Sequence, residues 1–135
     1  MINKTKTIIT MKYDITQALQ SLTPGAEWVL RGSDYSGLEW INGHGQDKPT
    51  EAAINAKIAE LDGAEAMKLL RIERDKRLVK DDWKVVKAKE TGSNLSTAFK
   101  TYRQALRDLP STATPTLNSN YELDMTSVTW PTEPS

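Results

Sequence analysis

The side chains in this 135-residue sequence best suited to chemistry are one histidine, one adjacent pair of aspartates and a run of arginines. His44 lies between Gly43 and Gly45 in a glycine-rich turn. An imidazole works as a base or a ligand only with partners around it. The chain contains no cysteine, which removes thiolate nucleophiles, cysteine zinc sites and a disulfide framework. Gly43-x-Gly45 lacks the third glycine and the strand–turn–helix setting of a dinucleotide site, so it reads as a turn. Asp81 and Asp82 are the kind of carboxylate pair that serves acid–base catalysis. They sit at a helix end beside lysines, with nothing in the sequence to raise a pKa by burial. There is no HExxH, no phosphate-binding loop and no nucleophilic serine signature. The reading is of a protein that is not an enzyme, with no catalytic, cofactor-binding or metal-ligating residue and no cofactor.

The arginines belong to an uneven charge layout. Net charge is zero, yet residues 1–67 carry 6 basic and 9 acidic side chains, residues 68–109 carry 12 and 6, and residues 110–135 carry 0 and 3. A basic central stretch is therefore flanked by two acidic ones. Either the flanks neutralise it within the molecule, or it faces an acidic partner. Most of these cations have acids nearby and no groove-reading motif accompanies them, so nucleic acid is not the expected partner. No run approaches the ~20 apolar residues needed to span a bilayer, and no signal peptide is apparent, so a soluble, non-membrane protein is expected.

The elements that must position these groups follow from apolar period and stop signals. Met1 to Thr10 is polar, then β-prone, and is expected to be peripheral. Asp14 or Thr16 caps a short helix with Ile15, Ala18, Leu19 and Leu22 on one face, stopped by Thr23-Pro24-Gly25. Glu27 to Arg31 and Leu38 to Asn42 read as a β-hairpin in which Trp28 and Trp40 can meet across the strands. Thr50 caps a helix carrying Ile54, Ile58 and Leu61. Strong helix formers after Gly63 predict that it continues to about Lys80, with Leu69, Ile72 and Val79 on its second apolar stripe beside Leu70 and Leu78. Asp81-Asp82-Trp83 ends this run, and Trp83 is expected to plug the open end of a helical hairpin. Lys84 to Ser93 reads as a connector. Asn94 or Ser96 then caps a helix with Phe99, Tyr102, Leu106 and Leu109 buried, closed by Pro110.

Across that hairpin Arg74 and Asp75 are expected to pair with Asp108 and Arg107. Beyond Pro110, short strands over Tyr121–Met125 and Val128–Pro131 would form an irregular hairpin with a turn at Asp124–Ser127. Trp130 either packs back on the helices or is offered to a partner. The fold class is α+β: a small N-terminal helix plus β-hairpin (1–48), a long connecting helix leading into an antiparallel helical hairpin (49–110), and an irregular extended tail (111–135).

Three separated pieces resemble the phage tail assembly chaperone-like domain. They are Arg71-x-x-Arg74-Asp75-x-x-Leu78-x-x-x-Asp82-Trp83, then Tyr102-Arg103-Gln104-Ala105-Leu106-Arg107-Asp108-Leu109-Pro110, then Val128-Thr129-Trp130-Pro131-Thr132-x-Pro134. The Trp-bearing hairpin followed by Lys48-Pro49-Thr50 is similar to a small domain of prophage proteins, the XkdW-like group. The first resemblance implies a non-catalytic phage protein of tail or tail-fibre morphogenesis that binds a tail-fibre or baseplate protein in the host cytoplasm. It leaves two roles open, transient chaperone or permanent virion component of the tail, and leaves self-association open too. The interaction or motif residues it implies are Arg71, Arg74, Asp75, Trp83, Tyr102, Arg103, Arg107, Asp108, Trp130 and Pro131.

Overall fold

A computed structural model describes residues 13–135, so the expectation for the first ten residues lies outside the described residues. The elements are α1 (Ile15–Leu22), β1 (Glu27–Leu30), β2 (Leu38–Asn42), α2 (Glu51–Lys80), α3 (Asp82–Glu90) and α4 (Thr97–Thr112), a mixed α+β, mostly helical fold. The chain divides into two compact units between Glu65 and Ala66, a point inside α2.

In the first unit Asp14 caps α1 by accepting from the Thr16 backbone N–H at 2.8 Å, while the Asp14 N–H donates to Gln17 Oε1 at 2.9 Å. The two bonds form a reciprocal capping box. Strands β1 and β2 run antiparallel with Trp28 opposite Trp40 and Leu30 opposite Leu38, the pairing expected from alternation. Ile15, Ala18, Leu19, Leu38 and Ile54 are the buried core here, with Trp28, Leu30, Tyr35 and Trp40 packed around them. The connection between the strands needs glycine at position 37. A Cβ there would lie 1.9 Å from the Arg31 carbonyl oxygen. Tyr35 Oη donates to the Pro49 carbonyl at 2.8 Å and Thr50 Oγ1 accepts from the Ala53 N–H at 3.1 Å, which fixes the start of α2.

Helix α2 passes through Gly63 without a break, as the helix formers after it predict. Several expectations for the second unit are corrected. Of the connector expected over Lys84 to Ser93, Lys84 to Glu90 is helical and only the residues after Glu90 connect. The backbone leaves helical geometry only at Asp81 (φ −110°, ψ 8°) and resumes as α3 through Glu90. Lys84 to Glu90 contains no Gly or Pro, so nothing in it stops the helix that resumes at Asp82. Val79 is exposed, not on a buried stripe, and Trp83 is exposed and plugs nothing. Pro110 does not close α4, which runs on to Thr112. Its last carbonyls are taken up locally: Ser111 Oγ donates to Asp108 O at 2.7 Å and the Ala113 N–H to Leu109 O at 2.9 Å.

Ser96 caps α4, and Phe99, Tyr102, Leu106 and Leu109 are its buried face, both as expected. Beyond Ala113 the two strands do not form. A single bridge joins Leu117 to Leu123 around a tight turn in which Tyr121 takes φ 58°. Asp124 caps a 3-10 turn at Met125–Ser127, close to the turn expected there.

Candidate interaction surface

The second unit is built on a pair of helical segments whose antiparallel sense is fixed by three contacts. Leu70 shares a cluster with Leu109, Arg74 Nη1 donates to Arg107 O at 3.4 Å, and Arg103 Nη1 donates to Leu78 O at 3.0 Å. Each advance along α2 is met by a retreat along α4. Arg103 also pairs with Asp82 at 2.9 Å, so one guanidinium bonds both the end of α2 and the start of α3.

The tail folds back over this pair. Val128 is buried with Leu70 and Leu109, and Trp130 packs beside them. Arg77 Cζ stands 4.1 Å from the centroid of the Trp130 ring, a close cation–π contact. Lys80 Nζ pairs with Glu133 at 3.0 Å. Of the two fates open to Trp130, packing on the helices is the one observed. Its Nε1 is buried and has no hydrogen-bond partner among the described residues.

Glu73, Lys76, Arg77, Lys80, Tyr102, Pro131 and Glu133 line a groove of about 400 Å³ along this junction. Its charges act on one another. The hydrogen bond from Lys80 holds the Glu133 carboxyl below the usual glutamate range. Glu133 in turn raises Lys80. Burial, then the Glu133 charge, raises the Tyr102 phenol. Among the described residues no three or more of His, Asp and Glu gather in a way that could hold a metal ion. His44 is in the first unit, exposed, with Nε2 2.9 Å from Glu27.

The motif residues separate into two sets. Tyr102, Trp130 and Pro131 lie in the helix–tail junction, with Tyr102 ring-edge against Phe99 at 5.9 Å between centroids, while Arg103 ties α4 to the end of α2 and the start of α3. Arg71, Asp75, Trp83, Arg107 and Asp108 are exposed. The expected cross-hairpin ion pairs are replaced by other bonds. Arg74 pairs with its neighbour Asp75 at 2.7 Å and reaches only the backbone of Arg107. Arg107 and Asp108 are both bonded to Gln104, which bridges them along one helix face. Sequence reasoning missed Arg77, Lys80 and Glu133. Arg77 has a local partner in Glu73 four residues before it, but its contact with Trp130 and that of Lys80 with Glu133 reach about 50 residues on into the tail, where no local pattern links them.

No helix among the described residues is long and apolar enough to cross a membrane. A family model described as phage tail assembly chaperone protein matches residues 67–135, just over half of the sequence and nearly coextensive with the second unit. The first 66 residues, with their similarity to the XkdW-like group, lie outside that match. No curated protein matches the chain, and no solved structure matches it. With its three motif pieces inside the matched segment, and the last two packed on the first, the chain belongs to the phage tail assembly chaperone protein family.

Proposed function

We propose that this phage tail assembly chaperone acts on a tail-fibre or baseplate protein by non-covalent binding alone, in the host cytoplasm while the tail is being built. The observation that carries the reading is the coincidence of the family match with a compact unit that has its own core and a docked tail. Such a unit is a scaffold able to present apolar and charged surface to a client whose unpaired strand edges are open to aggregation. Of the motif residues, Tyr102, Arg103, Trp130 and Pro131 build the scaffold, while Arg71, Asp75 and Trp83 are exposed and available to the client.

The test is co-expression with the fibre and baseplate genes encoded beside this one. Soluble fibre or baseplate protein recovered only in the presence of the chain is the expected result; unaffected yield overturns the proposal. Presence of the chain at fixed stoichiometry in purified particles would replace it with the role of a permanent virion component.

A further inference from the structure

Four large apolar side chains stand in solvent at the end of α2 and on α3: Val79 at 66%, Trp83 at 57%, Val86 at 54% and Val85 at 36% exposure. Trp83 and Val86, three residues apart, share one face of α3, and Val79 precedes them across the break at Asp81. Helix α3 buries none of its nine residues. Isolated helices shorter than roughly 12–15 residues are marginal in water, and most helix stability comes from packing an apolar face. A surface of this kind gains stability when something covers it.

The charges beside the stripe say what. Arg77 pairs with Glu73, Lys80 with Glu133, Lys84 with the buried Asp81, and Arg103 with Asp82. Lys76, Lys87 and Lys89 are exposed and have no acidic partner among the described residues. On α3, Lys87 falls on one flank of Trp83 and Val86 and Lys89 on the other, while Lys76 lies on α2 before the break. Two copies meeting symmetrically here would set these lysines against each other. A nucleic acid would find the lysines but nothing to gain from the valines.

We propose that the stripe Val79–Trp83–Val86 docks an acidic amphipathic helix of the client. The helix lays its apolar seam on Trp83 and the valines and sets its carboxylates beside Lys76, Lys87 and Lys89. The proposal rests on the chaperone reading only for the source of the helix. Trp83 is the anchor, since a large aromatic ring desolvated at the centre of a contact carries most of its energy.

The probe is a synthetic peptide of about three heptads with leucine at a and d and glutamate at e and g. Its controls are the same peptide with lysine at e and g, and a short DNA duplex. Binding to the full chain is measured by anisotropy of the labelled probe, and its location by hydrogen exchange. The expected result is binding of the glutamate peptide with slowed exchange over residues 82–90. Trp83→Ala should weaken it about tenfold or more. The pair Lys76→Glu and Lys87→Glu should weaken it severalfold and reduce its salt dependence. These side chains are exposed, and far-ultraviolet circular dichroism verifies that each variant keeps its fold.

Absence of slowed exchange in α3, equal binding of the lysine peptide, or preference for the duplex would overturn the proposal. So would a dimer of the chain that Trp83→Ala abolishes. If Trp83→Ala rescues a fibre as well as the parent chain, the docking surface is refuted and the chaperone reading stands. If the parent chain rescues nothing, that reading fails while the peptide measurement still decides the surface.

Discussion

Replacing Trp130 probes how the tail is held, and its effect can be worked from the contacts. Truncating a fully buried tryptophan to alanine costs roughly 3–5 kcal/mol. Trp130 is half-buried against Leu70, Leu109 and Val128, so the packing loss is nearer the lower end. Arg77, 4.1 Å from its ring centroid, adds a cation–π contact of about 0.5–2 kcal/mol. One contribution has the opposite sign. Nε1 is buried without a partner, and an unmade buried hydrogen bond costs about 1–3 kcal/mol that any variant lacking the N–H recovers. The net expectation for Trp130→Ala is a loss of about 2–3 kcal/mol. Trp130→Phe keeps an aromatic face for Arg77 and drops the orphaned donor, so it should stay within about 1 kcal/mol of the parent. Urea unfolding of the full chain, followed by circular dichroism, reads both. Adding Arg77→Ala should do less harm in the Trp130→Ala background than in the parent, by about 0.5–1.5 kcal/mol. Phenylalanine as damaging as alanine, or strict additivity with Arg77→Ala, would refute this account of the junction.

Gly63→Ala should raise stability by about 0.5–1 kcal/mol in thermal unfolding, because the site is inside α2 and a Cβ there meets nothing within 4 Å; a loss would show that the glycine is needed. The Lys80–Glu133 pair sets a pH window. Glu133 is depressed from its ordinary 4.5, so its contribution is present above that value and lost as pH falls through the lower folded value. Lys80 is raised from 10.5, so its contribution is present below that value and lost as pH rises through the higher one. Stability profiles of the parent and Glu133→Gln should therefore differ at neutral pH and converge at both extremes; parallel profiles through acid would contradict the pair. Arg74→Ala and Arg107→Ala should combine additively within about 0.5 kcal/mol, since Arg74 bonds the backbone carbonyl of residue 107, which alanine retains; coupling above about 1 kcal/mol in the double mutant would revive a side-chain pairing.

What the sequence revealed in advance is what short windows decide. Asp14, Thr50 and Ser96 were legible as caps because a cap is a bond to an N–H two or three residues away. Trp28 opposite Trp40 followed from strand alternation around a turn-rich loop. The buried face of α4 followed from period alone, since Phe99, Tyr102, Leu106 and Leu109 repeat at helical spacing between polar residues. The misread parts each required knowledge of a distant partner. Arg107 and Asp108 were assigned to Arg74 and Asp75, whereas Gln104, on the same helix, bonds both. Exposed charge pairs are worth so little that no rule of spacing selects among them. The missed bond between Lys80 and Glu133 spans 53 residues.

Periodicity stops being informative at the end of α2 and on α3. Val79 falls on the expected apolar stripe and Trp83 at the expected plug, yet both are exposed. Apolar spacing establishes that a face exists; it carries no information on whether the cover belongs to the same chain. Lys84 to Glu90 reads as a connector because a helix that buries nothing shows no stripe of core residues, yet no Gly or Pro interrupts it. In a protein that folds only for itself, local rule and observed burial agree nearly everywhere, and disagreement concentrates where function intrudes. Here it concentrates at the end of α2 and on α3, where Val79, Trp83 and Val86 are exposed beside lysines that no acid among the described residues answers. The same residues that defeated the sequence reading are the ones a client has reason to cover.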